Sequence, residues 1–209
     1  MTSAVAADPS ADHTDLPHLL RASVPLGVVH AVLVGAFAAT SRLLEGPLEL
    51  AIHAAILVVG IAVSIALPGL WTKARGIEGI AGAAGIGLAA TWVFMLIDVV
   101  VLQPLGIYSN RWLEIGGGSN WWYHPIWWMV GTYLPWMGAW VLANQASKAG
   151  AANPVVLVGG TLVVAALIAA AATVLNFPGA AFGLGTWGVA VLPALAVMVL
   201  VTGLGNRRG

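Results

Sequence analysis

The stretch RWLEIGGGSNWWYHPIWWMVGTYLPWMGAW, Arg111 to Trp140, holds seven of the chain's ten tryptophans. Its second half reads as one more membrane helix, and its first half as the loop that precedes it. On either side lie plainer runs of Ala, Val, Leu, Ile and Gly, each long enough to cross a bilayer. A hydrocarbon core about 30 Å thick needs roughly 20 apolar residues per helix. With His124 to Ala143 counted as a span, six segments meet that length, at about 20–40, 48–70, 79–102, 124–143, 154–175 and 182–204. Gly46-Pro47, Pro68-Gly69, Pro104, Gly116 to Gly118, Asn153-Pro154 and Pro178-Gly179 fall where such helices start or stop.

Composition fixes the class. Of 209 residues, 60% are hydrophobic and 8% charged, and the mean hydropathy is +0.94, so there is too little polar surface to cover a water-soluble domain. The expected fold is all-α, one six-helix transmembrane bundle over residues 19–209. Eight basic residues balance eight acidic ones, leaving no cationic field for nucleic acid. Cysteine is absent, which excludes disulfides, thiolate metal sites and a Cys nucleophile. Residues 1–18 are polar, carry Asp8, Asp12 and Asp15, and lack the basic and apolar regions of a cleaved signal; they read as a short disordered cytoplasmic tail.

An even number of spans puts both termini on one side, and the basic residues choose that side. Arg21, Lys73, Arg75, Lys148, Arg207 and Arg208 fall with the termini, against Arg42 and Arg111 opposite. The expected location is a bacterial cytoplasmic membrane with both termini in the cytoplasm. The Trp-rich connection at about 103–123 then faces outward. The halves share composition but no inverted repeat.

Ionisable side chains inside the hydrocarbon are costly and point to function by default. His30, His53 and Asp98 qualify, while Glu49 and Glu78 lie close to helix ends. At about 1.5 Å per residue, Asp98 and His53 lie at matching heights near the outer face, and His30 lies roughly 10 Å deeper. That offset disfavours a haem held by His30 and His53. The expected grouping is His53 and Asp98 near the outer leaflet, with His124, Arg111 and Glu114 above them from the loop. Three roles are open to it: a hydrogen-bonded network pinning the loop, a proton-relay or substrate site, or a metal held by His53, Asp98 and His124. No short metal-ligand motif links these residues.

An interfacial aromatic belt explains Trp112, Trp121, Trp122, Tyr123, Trp127 and Trp128. It does not explain Trp136 and Trp140, which continue from Trp128 and Thr132 at steps of four down the fourth span. With Trp92 they form a stripe, read either as packing and lipid contact or as a groove for a flat apolar ligand such as a lipid, quinone, carotenoid or tetrapyrrole. Gly116 to Gly118 form a hinge in the loop, whose exposed tryptophans suit a flap on the leaflet or a docking surface. No nucleophilic triad, phosphate loop, dinucleotide fingerprint or catalytic carboxylate pair is present.

The sequence therefore leads to a non-catalytic membrane subunit or scaffold that packs against partner membrane proteins, or against further copies of itself, and against lipid, quinone or pigment. One alternative is a small proton- or ion-coupled transporter using Asp98 and His53. Another is a membrane redox or metal enzyme with ligands among His53, Asp98 and His124.

Overall fold

Proline and small polar caps set the helix starts in the computed structural model, which describes residues 13–110 and 123–204. Six long α-helices pack side by side, and no strand occurs among the described residues. They are α1 (Leu16–Leu43), α2 (Pro47–Trp71), α3 (Ile77–Ile97), α4 (Tyr123–Ala149), α5 (Pro154–Val174) and α6 (Leu184–Gly203). A π-helical turn, Asp98–Leu102, extends α3. Five of the six are long and apolar enough to cross a membrane; α4, richer in Trp, Tyr and amide side chains, falls below that hydropathy.

The ends obey local chemistry. Asp15 accepts from the His18 backbone N–H and starts α1, so the helix begins ahead of the expected boundary and residues 13–18 belong to it and its cap rather than to a tail. His13 N–H donates to Thr72 O, and His18 Nε2 donates to Trp71 O, fastening this entry to the end of α2. Asn153 caps α5 ahead of Pro154. The fourth helix runs six residues past its expected end, to Ala149, because Asn144, Gln145 and Lys148 find partners there. Residues 1–12 and the loop residues 111–122 lie outside the described residues, and with them Arg111, Glu114 and the glycine hinge.

Between helices in a lipid environment, packing and hydrogen bonds rather than water exclusion hold the bundle. Small residues permit the closest crossings. A Cβ on Gly27 would meet Ala90 O and Val93 at 2.5 and 2.6 Å, which lays α1 against α3. A Cβ on Gly87 would strike Gly131 O and the Pro135 ring. Pro135 has no N–H to offer the Gly131 carbonyl, so that oxygen rests against the α3 backbone instead. A Cβ on Gly138 would strike Ile65 O, laying α4 on α2. Small residues recur on α3 at Gly79, Gly82 and Gly85; Gly79 and Gly82 are buried, but Gly85 has nothing within 4 Å of where its Cβ would stand. The alanines of α5 pack on one side alone: Ala165 is buried, whereas Ala166 and Ala170 are exposed.

α4 is the centre of the arrangement, touching α2, α3, α5 and α6. Tyr133 Oη donates to Leu192 O at 2.9 Å, and Asn144 Nδ2 donates to Val199 O and Thr202 Oγ1, joining α4 to α6. These pairings make α4 parallel to α6, and the contacts of Gly138 with Ile65 and of Gly69 with Leu142 make it parallel to α2. The pairs Gly87–Gly131 and Phe94–Trp127 make it antiparallel to α3. The start of α1 and the ends of α2, α4 and α6 consequently lie at one end of the bundle.

Candidate functional site

The expected outer cluster divides into separate sites. Asp98 is buried at the π-helical turn, where Gln103 N–H bonds Asp98 O at 2.8 Å over one residue more than an α-helical step. Its carboxylate accepts from Gln103 Nε2 at 2.6 Å and from Tyr108 Oη. Arg42 Nη1 donates to Gly106 O at 3.0 Å, and together these bonds fold the connection after α3 back onto the helix ends. Burial, helped by the hydrogen bond to Asp98 and by its charge, pushes the Tyr108 phenol well above its ordinary value. Among the described residues, then, Asp98 engages the chain just beyond it and not His53.

His53 belongs to the α1–α2 pair. Its Nε2 lies 3.1 Å from Thr40 Oγ1, its ring stacks on Phe37 with centroids 3.9 Å apart, and its Nδ1 lies 3.9 Å from Glu49 Oε1. Glu49 is thus buried beside His53 one helical turn away, not reaching toward an interface as its position near a helix end suggested. No group of three or more His, Asp or Glu side chains able to hold a metal occurs among the described residues, so His53, Asp98 and His124 are not brought together as ligands. His124 is partly buried in the first turn of α4.

The aromatic stripe takes the outside of the bundle. Trp92, Trp128, Trp136 and Trp140 are 56%, 36%, 40% and 38% exposed. Trp92 and Trp128 stack at 5.2 Å, Trp136 and Trp140 meet at 6.0 Å, and Trp128 Nε1 donates to Met95 Sδ at 2.8 Å. Thr132 donates to Trp128 O at 2.7 Å within its own helix.

A half-open space lies on the other side of α4. A cavity of about 430 Å³ is bounded by α1, α2, α3, α4 and α6. Its walls are almost wholly apolar: Leu33, Val34 and Phe37 from α1, Ile56, Leu57 and Ile61 from α2, Phe94 from α3, and Ile126, Trp127, Val130 and Leu134 from α4. Glycines at 60 and 188 leave room where side chains would project, and Gly131 lies directly against Thr91. Ile126 and Gly188 stand near the starts of α4 and α6, and the space runs from that end toward the middle of the bundle. There it meets its polar groups, His30, Ser64 and Thr91. His30 Nε2 and Ser64 Oγ are 2.9 Å apart.

Sequence reasoning singled out His30 but not Ser64, Thr91 or Phe37, and it assigned Trp127 to the interfacial belt, whereas Trp127 lines the cavity against Phe94. One signal was available. The turn between α1 and α2 is short, so residues that straddle Pro47 almost symmetrically face each other, as His30 with Ser64 and Thr40 with His53 do. The rotation of α4 had no such marker. No protein-family model, characterised protein or solved structure matches this chain.

Proposed function

We propose that this is a non-catalytic integral membrane protein of six spans, with both termini in the cytoplasm, that holds an apolar molecule drawn from the bilayer between its helices. The cavity bounded by five helices carries the reading. Its volume falls in the range of small-molecule sites, its lining is apolar, and its few polar groups converge at one end. Counting α4 as a span is supported by its 27 residues and by its place among α2, α3, α5 and α6, with Met137, Ala139, Val141 and Leu142 buried. The excess of Lys and Arg on the terminal side supports the orientation. The exposed tryptophans of α3 and α4 meet lipid or a partner subunit, as large amphipathic side chains do at such boundaries. A lipid, quinone, carotenoid or other flat apolar molecule matches this lining in kind.

A transporter built on Asp98 and His53 needs the two to act together, and each engages its own neighbours instead. The test is binding of 4-nonylanisole, an apolar probe, to the full chain in nanodiscs, scored against protein-free nanodiscs. Saturable binding at one site per chain is expected, weakened roughly tenfold or more by Gly60→Leu, which fills the cavity. Binding that never saturates, or that Gly60→Leu leaves undiminished, would sink the proposal.

A further inference from the structure

The polar end of the cavity has a hydrogen-bonding sense, and that sense selects a chemical class of ligand. Ser64 Oγ lies 2.7 Å from Gly60 O. Two oxygens approach so closely only with a proton between them, and the carbonyl has none to give. The Ser64 proton is therefore committed to the backbone. The 2.9 Å contact with His30 must then be a donation from His30 Nε2–H to Ser64 Oγ. A neutral imidazole that carries its proton on Nε2 presents a bare lone pair at Nδ1. Among the described residues His30 has no hydrogen bond except the one to Ser64. The third polar group, Thr91, donates to Gly87 O at 2.9 Å, which leaves its oxygen as an acceptor too.

Every polar side chain at that end has thus given its proton away within the protein, and what remains are acceptors in an apolar surround. An acceptor that faces an apolar space without a donor is poorly solvated, and a ligand that supplies the donor recovers that free energy. A ligand whose only polar group is a carbonyl or an ether oxygen brings a second acceptor and gains nothing there.

Resting on the proposed binding of an apolar molecule, we infer that the molecule is an alcohol or a phenol whose hydroxyl donates to His30 Nδ1, with its apolar body along Phe37, Trp127 and Leu134. By the same logic the site prefers the reduced, dihydroxy form of a quinone to the oxidised form.

The experiment compares 4-nonylphenol with 4-nonylanisole, which differ only in whether the oxygen carries a proton, on the full chain in nanodiscs. The native protein is expected to bind the phenol about tenfold more tightly, a difference in the range of one buried hydrogen bond. His30→Phe keeps the apolar volume and should bind both probes at the level of the anisole. Nitrogen-15 spectra of histidine-labelled protein give a second readout: the Nδ1 resonance that His30→Phe removes should move when the phenol is added and stay when the anisole is added. Equal affinity of the native chain for both probes, or a preference that survives His30→Phe, overturns the hydroxyl assignment while leaving apolar binding in place. If neither probe binds, the cavity reading falls together with this one.

Discussion

The two sides of α4 are built from the same kinds of residue and do different things. On one side Trp127, Val130, Gly131 and Leu134 close a cavity against α1, α2, α3 and α6. On the other, Trp128, Trp136 and Trp140 stand exposed, Trp128 stacked on Trp92 and Trp136 tilted against Trp140. Adjacent tryptophans, 127 and 128, fall on opposite sides because a helix turns about 100° per residue. Trp127 meets Phe94 edge to face at 5.1 Å, inside the bundle. What separates the two sides is what packs opposite them, which residue type alone does not encode.

Five substitutions break or sharpen this contrast. Gly131→Leu should be the most damaging, since its Cβ would land on Thr91 Oγ1 and no backbone movement of α3 is free while Gly87 rests on the same turn. A loss of about 3 kcal/mol or more is expected for such overpacking, read by denaturant titration of the detergent-solubilised protein. Trp127→Ala should cost roughly 2 kcal/mol by enlarging the cavity and removing the contact with Phe94. A cost no greater than that of the outer tryptophans would erase the distinction drawn here. Tyr133→Phe deletes the donor to Leu192 O and should cost about 1 kcal/mol, visible as a lower thermal midpoint without change in helix content. Trp136→Ala and Trp140→Ala should each fall within about 0.5 kcal/mol in detergent, because both rings are substantially exposed. A large loss from either one would mean that the outer side, too, is covered.

The hydrophobic runs and their Gly and Pro punctuation made the helical class and the helix positions legible. Length and apolarity act locally and need no knowledge of neighbours. The candidate sites were legible only as residue types. Of the three costly side chains singled out, His53 and Asp98 are buried and His30 is partly buried, yet grouping by depth paired His53 with Asp98. Depth along the membrane normal is one coordinate, and rotation about each helix axis is another. The second sends His53 toward Thr40, Phe37 and Glu49, and sends Asp98 back to Gln103 and Tyr108.

The stripe Trp128, Thr132, Trp136 and Trp140 shows the same limit. Its spacing by four correctly placed the residues on one side of a helix, but spacing is silent on whether that side faces inward.

By itself, the sequence determined that this is an all-helical membrane protein, roughly where its helices lie, and which few side chains are expensive to bury. Those properties follow from transfer free energies and backbone chemistry, which are summed residue by residue. Tertiary structure alone decided that Gly87, Gly131 and Pro135 lock α3 to α4, that the tryptophans divide between a cavity wall and an outer surface, and that His30 finds Ser64. In a bilayer apolar side chains gain little by turning inward, so the rotation of each helix is set by close packing and hydrogen bonds between helices. Those terms exist only once the helices have met.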